Sequence, residues 1–200
     1  MKRDNYYIKR NIQDIDKTNE LLECLPPFCE DYFLGIEQRT SCQTRLKYAY
    51  DLRIFFDFLC KRKYRKKDVL DLTLEDLEGV TNNDIEFFLS YLSHYRFNEK
   101  SLSCDERAKA RKLSAVRAMF KYFFNKGLIE VDNSSKVQTP KLHEKEIIRL
   151  EAEEVSKLID IAESGSGLSR HASGYHDKTK IRDIAIITLF LGTGIRISEL

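Results

Sequence analysis

Apolar residues recur at intervals of three and four along most of the chain, and this spacing places side chains on one face of an α-helix. Phe28, Tyr32 and Ile36 follow a Pro-Pro pair at four-residue spacing and predict a helix that begins there. The pattern therefore predicts a chain made mainly of helices. A second helix is predicted after Thr44 from the single face formed by Tyr48, Leu52, Phe55, Phe56 and Leu59.

Polar clusters indicate where further helices start. Thr-x-x-Asp at 73–76 and the cluster at 81–84 are typical of helix starts, and Ser-x-x-Glu at 103–106 matches a capping box. Gly127 is a typical C-terminal stop for the last of these helices. Four or five helices with short loops in the first 130 residues predict a compact bundle. The inner face of the long helix after Ser103 is predicted to be Leu113, Val116, Phe120 and Phe123.

The pattern changes after residue 130. Turn-like residues at 132–135 and the Thr139-Pro140 pair predict an extended linker up to residue 147. A new helix is expected near Glu151, and Glu163–Lys180, with three glycines and four serines, is predicted to be a mobile polar loop. The inner face of the new helix is predicted to be Val155, Leu158, Ile159 and Ala162.

The last twenty residues combine an apolar helix with a glycine turn. The helix is expected to resume near Ile181 and to run through Leu191. Gly192-Thr193-Gly194 is expected to break it, and residues 195–200 then begin another turn.

Charge is distributed unevenly although the net charge is only +2. Residues 39–67 contain ten basic and two acidic side chains, residues 68–86 contain seven acids and no Lys or Arg, and residues 100–126 contain eight basic side chains against two acids. Basic blocks of this kind favour a polyanion such as nucleic acid. Ordinary solvated helix faces give the same pattern, so charge alone leaves both interpretations open.

The cysteine content and the N-terminus bear on the cellular compartment. The five cysteines are odd in number and contain no C-x-x-C pair, which argues against a disulfide framework and a zinc knuckle. We expect reduced thiols in a cytoplasm. The first fourteen residues lack an apolar run, so no secretory signal is expected. The apolar stretch at 184–191 is too short and interrupted to span a membrane.

Arg196 is the residue that carries the most chemical information. It follows the glycine turn and stands between Ile195 and Ile197, so we expect it at the boundary of the core. An arginine in such a place needs an anionic partner, and its planar fork matches phosphate. Glu199 is placed three residues on, where it could anchor the turn or brace the guanidinium.

The sequence Thr-Gly-Ile-Arg-Ile-Ser-Glu-Leu at 193–200 resembles a signature of tyrosine recombinases, a family that includes Xer-type enzymes and phage or transposon integrases. The resemblance implies that Arg196 is the first of two arginines that clasp the scissile phosphate and that Glu199 is the structural acid. The alternative is a core-edge arginine in an unrelated helical turn. The eight-residue match, preceded by an Arg-Asp helix start, favours the family.

The resemblance extends across most of the chain. Residues 44–59 resemble the family's T-x5-Y-x-x-D-L-x-x-F helix, although the spacing is not identical, and residues 110–123 are similar to its R-x-L-S-A-[LIV]-R-x-F-Y helix. Residues 150–155 resemble the entrance to the catalytic domain. The chain departs from the family at 132–134, where Asn-Pro is common, and residues 1–24 have no counterpart.

The resemblance implies a mainly α fold. It implies a helical bundle, the SAM-like core-binding domain, followed by the first helices of a truncated, mixed α/β catalytic domain. The expected organisation is an N-terminal extension at 1–24, a helical DNA-binding domain at 25–130, a linker at 131–147 and the beginning of the catalytic domain at 148–200.

Two groups of residues are candidates for DNA contact. On the helix after Ser103, the spacing places one polar set opposite the apolar face, where it can track a groove and contact phosphates. Basic residues of the helix after Thr44 could grip the other side of the duplex. Solvated surface remains the alternative for both groups. The first set is Arg107, Arg111, Ser114 and Lys121, and the second is Arg45, Lys47 and Arg53.

The resemblance also implies the reaction and its partners. A tyrosine attacks double-stranded DNA, forms a 3′-phosphotyrosyl link and passes the strand on within a synaptic complex of protomers. No metal, nucleotide cofactor or membrane is expected. In the family this tyrosine lies far C-terminal to the motif arginine, so none of the ten tyrosines inherits the role and the 200-residue chain alone is expected to be inactive.

Two other functions remain open at this point. One is a non-catalytic DNA-binding protein derived from an integrase, which occupies sites without cutting. The other is a helical protein-interaction module without a DNA role. DNA binding that weakens with salt would exclude the protein-interaction module, because only the recombinase and the non-catalytic DNA-binding protein require it.

Overall fold

In the computed structural model, the described residues are 2–142 and 149–197. The chain divides into two compact units, Met1–His143 and Glu144–Leu200. The described part is mainly helical, as the sequence predicts. The first unit contains α1 (Lys2–Leu22), α2 (Phe28–Ile36), α3 (Cys42–Arg62), α4 (Leu74–Glu78), α5 (Asn82–Tyr91), β1 (Tyr95–Phe97), β2 (Lys100–Leu102) and α6 (Glu106–Asn125), and the second contains α7 (Ala152–Ser164) and α8 (Arg170–Thr193).

Side-chain caps define most helix starts in the first unit. The helix starts predicted at 73–76 and 81–84 are confirmed. Each is a capping box in the structure, because the threonine accepts a hydrogen bond from the third residue of its helix and the aspartate accepts one in return. The box predicted at 103–106 is wrong. Asp105 caps α6 instead, with its Oδ1 2.8 Å from the amide of Ala108. Residues 100–102 are paired in a strand, so the chain is still extended when it reaches Ser103.

The core of the first unit is built from aromatic and aliphatic faces of α2, α3, α5 and α6. Phe55 and Phe88 meet edge to face with ring centroids 5.1 Å apart. Each large apolar side chain buried in this way contributes about 1.5–3 kcal/mol relative to exposure. The predicted inner face of α6 is confirmed, since Leu113, Val116, Phe120 and Phe123 are all fully buried.

A short antiparallel hairpin, which the sequence pattern does not predict, joins α5 to α6. Tyr95 pairs with Leu102 and Phe97 pairs with Lys100. The turn residues Asn98 and Glu99 both have positive φ, at 47° and 63°. Two such residues form the tight turn that suits the twist of a hairpin, and the asparagine tolerates this conformation. The second turn residue is not glycine, so the usual sequence signal for this turn is weak.

The segments before and after the helical bundle, α1 and residues 131–142, both pack against it. α1 lies against α3, and its Thr18 and Leu21 are buried. Within the predicted linker, Val137 is buried and Arg117 holds the chain in place. The Arg117 guanidinium donates from Nη1 to Thr139 Oγ1 at 2.8 Å and from Nε to Ser134 O at 3.3 Å. Much of the segment at 131–142 is therefore packed against the bundle and is not a free linker.

The second unit is a pair of helices joined by a short connection. α7 ends at Gly165, whose φ of 69° is left-handed, and Ser169 caps α8 by accepting from the amide of Ala172 at 3.3 Å. The mobile loop predicted at 163–180 is therefore wrong for most of its length. His176 Nε2 lies 2.9 Å from the carbonyl oxygen of Ala162, which joins the two helices and gives this segment a packing partner.

The apolar face predicted on α7 is less buried than expected. Val155, Ile159 and Ala162 are half-buried, and Leu158 is exposed. Across residues 149–197 no side chain with a described environment is fully buried. Two helices alone do not enclose an interior, which explains the difference.

Candidate nucleic-acid interface

The exposed face of α6 carries the four residues that the sequence placed there. Arg107, Arg111 and Lys121 are exposed, and Ser114 lies between them. They lie opposite the apolar face because their spacings of four, three and seven residues keep them aligned on a helix. From Arg107 to Lys121 the helix rises about 21 Å. α6 thus presents a row of cations along one side of the bundle.

Arg107 and Lys121 have their charged groups available on this face. Within residues 2–142 and 149–197, neither side chain makes a hydrogen bond or an ion pair. Ser114 is exposed but turns back on its own helix, because its Oγ donates to the carbonyl oxygen of Ala110 at 3.0 Å. Lys121 shares a shallow surface depression with Glu130 and Asp132, and these acids weaken the positive potential at this end of the row.

Arg111 is held in place by a buried carboxylate. Its Nη1 donates to Asp51 Oδ2, while the other oxygen of Asp51 accepts from Lys112 Nζ at 2.8 Å. The side chains of Asp51 and Lys112 are 1% and 7% exposed, whereas that of Arg111 is 47% exposed. Two cations share one anion, so the cluster has a formal charge of +1, and its exposed member is Arg111.

Asp51 is a residue of this site that was not predicted from the sequence. It stands in an apolar stretch of α3, between Tyr50 and Leu52, and its side chain faces the core side of that helix. A carboxylate at such a position requires a cationic partner, because an unpaired buried charge is costly. That requirement was the signal available in the sequence, although the identity of the partner depends on how α3 and α6 pack.

The three candidates on α3 have different surroundings. Lys47 is exposed, but Arg53 is half-buried, with its guanidinium carbon 5.4 Å from the centroid of the Phe97 ring. Arg45 is only 8% exposed, and its Nη1 donates to the carbonyl oxygens of Glu37 at 2.9 Å and Thr40 at 3.0 Å. Arg45 therefore satisfies carbonyls of the segment that joins α2 to α3 and is not part of an exposed basic face.

Arg196 follows directly on the end of α8. Gly194 has a left-handed φ of 64° and ends the helix, while Thr193 Oγ1 donates to Leu189 O at 2.6 Å. The side chain of Arg196 is exposed, Ile195 is half-buried, and Ile197 is 82% exposed. The arginine thus lies further out than the core boundary expected from its apolar neighbours, because this unit has no enclosed core among its described residues. Glu199 lies outside the described residues.

Other kinds of site have no support in the part of the chain that the structure describes. No group of three or more His, Cys, Asp or Glu side chains there is arranged to hold a metal ion. None of the helices at 2–142 and 149–197 has the length and apolar character needed to cross a membrane.

Comparison with known proteins identifies the relatives of the chain. Tyrosine recombinase XerC of Caldanaerobacter subterraneus subsp. tengcongensis is 33% identical over 187 residues, which cover 88% of this chain and 47% of that protein. Tyrosine recombinase XerS of Lactococcus lactis subsp. cremoris is 30% identical over 214 residues, or 94% of this chain and 58% of that protein. The chain is a tyrosine recombinase family member.

The family assignment confirms the resemblance found in the sequence motifs. Tyrosine recombinase XerS of Streptococcus agalactiae adds a further relative, 27% identical over 213 residues. The chain spans about half the length of the curated recombinases that it matches. No family model matches the chain, and no solved structure matches it.

Proposed function

We propose that this chain supplies the DNA-binding domain and the first catalytic arginine of a site-specific tyrosine recombinase. The observation that carries the proposal is the similarity to XerC and XerS recombinases over 88% to 94% of the chain. The proposed organisation is an N-terminal extension at 1–24, a core-binding domain at 25–130, a linker at 131–147 and the start of the catalytic domain at 148–200.

The proposed DNA-binding surface is the exposed face of α6 together with Lys47 of α3. Arg107, Arg111 and Lys121 would contact phosphates of a double-stranded site, because guanidinium and ammonium groups on a helix face can follow the backbone along a groove. The exposure of all three side chains supports this role, although the guanidinium of Arg111 also donates to Asp51. Ser114 lies between them and can donate to a phosphate oxygen once it leaves Ala110 O. Arg53, whose guanidinium lies over the Phe97 ring, would contact DNA at the edge of this surface.

The proposed reaction is transesterification at a DNA phosphate. A tyrosine oxygen attacks the scissile phosphorus, a 3′-phosphotyrosyl bond forms, and the 5′-hydroxyl leaves with a proton. The 5′-hydroxyl of a partner strand then attacks the same phosphorus and releases the tyrosine. The phosphotyrosyl bond conserves the energy of the original ester, so the reaction needs no metal and no nucleotide cofactor.

Arg196 would stabilise the negative charge that develops on the non-bridging oxygens of the scissile phosphate. Its guanidinium can donate two parallel hydrogen bonds to phosphate oxygens. The left-handed Gly194 and the Thr193 hydroxyl bond define where the chain leaves α8, and this bend supports a fixed position for the arginine. Loss of one such donor costs about 3 kcal/mol of activation free energy, which corresponds to roughly a hundredfold in rate. Glu199 would support the arginine.

The complete recombinase would work in the cytoplasm as a synaptic complex of several protomers on two DNA sites. In the family, the nucleophilic tyrosine follows the motif arginine at a distance. We therefore propose that the 200-residue chain binds DNA but does not cleave it by itself.

The test uses the complete recombinase that contains this chain and a nicked suicide substrate, which traps the covalent protein–DNA product. With Arg196→Ala we expect roughly a hundredfold slower formation of this product, while DNA affinity changes little. Arg196→Lys keeps the charge but loses the planar fork, so it should rescue the rate only in part.

Three outcomes would contradict the proposal. Unchanged cleavage by Arg196→Ala would remove the catalytic role of this residue. Covalent attachment by the 200-residue chain would show that it is active alone. Sequence-specific binding by the complete protein without any covalent product would favour the alternative, a DNA-binding protein derived from an integrase.

A further inference from the structure

One face of α1 carries large apolar side chains that the first unit does not cover. Ile8, Ile12 and Ile15 are 57%, 51% and 38% exposed. α1 packs on the bundle mainly through Thr18 and Leu21, which are buried, and Leu22 is partly buried against the same core. Isoleucines repeated on one exposed side of a helix are typical of a surface that another element covers.

The exposed isoleucines belong to a regular repeat. With Asn19 and Leu22 they occupy positions 8, 12, 15, 19 and 22, with alternating spacings of four and three residues. This is the repeat with which one helix pairs along another, and a single asparagine in such a stripe fixes how the two helices align. The stripe predicts a helical partner. We call residues 8, 12, 15, 19 and 22 the α1 stripe.

The C-terminal half of the α1 stripe forms one wall of a groove. Ile15, Asn19 and Leu22 face Phe33 and Leu34 of α2 across it, and Leu34 is 71% exposed. The lining also contains Glu23, Glu30 and Glu37 together with Arg45, whose Nη2 lies 3.6 Å from Glu37 Oε1. Glu23 and Glu30 therefore give the rim of the apolar groove an excess of negative charge. An excess of acids disfavours DNA phosphates and favours an occupant with a basic end, such as a polypeptide segment.

The first ten residues of the chain supply such a basic end. Lys2, Arg3, Lys9 and Arg10 stand there against a single acid, Asp4. Along the α1 stripe, Lys9 is adjacent to Ile8 at one end and Glu23 is adjacent to Leu22 at the other. Within the described residues neither Lys9 nor Glu23 forms an ion pair. The helix is basic at its start and acidic near its end, which is the charge pattern of a self-complementary antiparallel pair.

We propose that α1 binds α1 of a second copy of this chain in antiparallel orientation. The α1 stripe of each copy lies on that of the other, and the N-terminal half of each helix lies at the acidic groove of its partner. Lys9 of each copy faces Glu23 of the other copy, so the contact forms twice. The same patch is used on both copies, so the interface closes as a symmetric dimer.

The interface is expected to be weak because it buries a small area. A single pair of short helices buries less than the roughly 1,200 Å² at the lower limit of stable complexes, so dimerisation requires high protein concentration. Copies held on neighbouring DNA sites experience a high effective concentration, which favours the same contact there. The dimer itself does not depend on DNA, so its test is independent of the recombinase proposal.

The test is sedimentation equilibrium of the 200-residue chain without DNA over a range of concentrations up to the solubility limit. The wild type is expected to dimerise reversibly. Lys9→Glu and Glu23→Lys, each alone, place like charges at both ends of the interface. Each is expected to weaken dimerisation about tenfold, since both exposed pair contacts of the symmetric interface change from attractive to repulsive.

An equimolar mixture of Lys9→Glu and Glu23→Lys gives the decisive result. In the mixed dimer, the acid that Lys9→Glu introduces meets the lysine that Glu23→Lys introduces. At the other end, the unchanged Glu23 of the first variant meets the unchanged Lys9 of the second. Dimerisation is therefore expected to return to the wild-type level in the mixture, which no defect in folding can produce.

Two further variants test the α1 stripe itself. Ile12→Glu places a charge in the middle of the apolar contact and should abolish dimerisation. Gln13→Glu introduces the same charge at an exposed position away from the α1 stripe, so it is the matched control and should leave dimerisation nearly unchanged.

A wild type that stays monomeric at every concentration overturns the proposal. A mixture that associates no better than either variant alone also overturns it, as does a dimer that Ile12→Glu leaves intact. Circular dichroism of each variant establishes that the helices remain folded.

Discussion

Lys112 Nζ lies 2.8 Å from Asp51 Oδ1, in an ion pair that joins α6 to α3 inside the bundle. Both side chains are almost completely buried, and the second oxygen of Asp51 accepts from the partly exposed Arg111. The pair therefore connects the packing of two core helices with the orientation of a cation on the proposed DNA-binding face. One carboxylate serves both purposes because it has two oxygens and the two cations are consecutive on α6.

Replacing Lys112 by methionine is expected to destabilise the first unit. The substitution keeps most of the side-chain volume but removes one of the two cations that compensate Asp51. Breaking a buried pair in this way costs about 3 kcal/mol, at the lower end of the usual range because Arg111 remains. Urea denaturation followed by circular dichroism measures the loss. Lys121→Met removes the same charge from the exposed end of α6 and should change stability by less than about 0.5 kcal/mol.

The double substitution Asp51→Leu with Lys112→Met tests whether the loss of stability comes from the unpaired carboxylate of Asp51. If the pair matters mainly because a lone charge is costly, the double variant should be more stable than Lys112→Met alone. A double variant that is less stable than the single one would contradict this explanation.

Arg45 is expected to act on stability and not on DNA affinity. Arg45→Ala leaves the carbonyl oxygens of Glu37 and Thr40 without their donor, at a cost of about 1.5–3 kcal/mol for hydrogen bonds from a charged group. Lysine at this position cannot donate to both carbonyls in the same geometry, so Arg45→Lys should rescue little. Thermal unfolding measures the effect, and Lys47→Ala, which removes an exposed cation two residues away, is the control. A large loss of DNA binding by folded Arg45→Ala would contradict this assignment.

The sequence predicted those parts of the fold that depend on local periodicity. The buried face of α6 follows from the spacing of Leu113, Val116 and Phe120, because every fourth or third residue of a helix points to the same side. The helix starts at 73–76 and 81–84 were also predicted, since a threonine and an aspartate three residues apart can satisfy each other's backbone amides without help from the rest of the fold.

Other parts depended on tertiary structure that no local pattern contains. The glycines and serines after Glu163 suggested a loop, but the structure continues α8 through Gly174, with His176 bonded to α7. The burial of Arg45 depends on carbonyl oxygens of the preceding turn, which its own helix pattern does not include. In the candidate interface, the sequence therefore predicted which side of α6 is exposed but not the carboxylate that holds Arg111.

The stability of the first unit is expected to fall in acid. Burial acts to raise the pKa of Asp84, but hydrogen bonds from Lys63 and from the amide of Thr81 outweigh it and hold the pKa below its ordinary value of 3.8. The pKa of Asp76 is lowered in the same way, against the effect of burial, by Lys67 and Thr73. A lowered folded-state pKa means that the unfolded chain binds the proton first, so stability is present above the ordinary pKa and is lost as pH falls through the folded value.

The measurement is urea denaturation at a series of pH values between about 7 and 2.5. We expect a nearly constant contribution from these carboxyls down to about pH 5 and a progressive loss below about pH 4. Asp84→Asn should lower stability at neutral pH and flatten the decline in acid. Glu86→Gln removes an exposed carboxyl from the same helix and should leave the decline unchanged. A decline that is equally steep in Asp84→Asn would contradict the role of this carboxylate.

The exposed face of α6 is expected to determine the salt dependence of DNA binding. Arg107→Ala combined with Lys121→Ala removes two proposed phosphate contacts without disturbing the Asp51 cluster. Each phosphate contact contributes about one unit to the slope of log affinity against log salt concentration, so the double variant should lower this slope by about two. The loss should be similar for specific and unrelated DNA sequences, because phosphate contacts carry no sequence information. A gel shift or fluorescence anisotropy titration at four or more salt concentrations gives the slope.

Arg65→Ala combined with Lys66→Ala provides a control of equal charge for this measurement. These two cations are exposed in the turn after α3, so their removal lowers the net charge by the same amount away from the α6 face. If general attraction to a polyanion explained the binding, both double variants would reduce the slope of log affinity against log salt concentration by the same amount. If α6 contacts the backbone directly, only Arg107→Ala with Lys121→Ala loses two units, and the control keeps most of the wild-type slope.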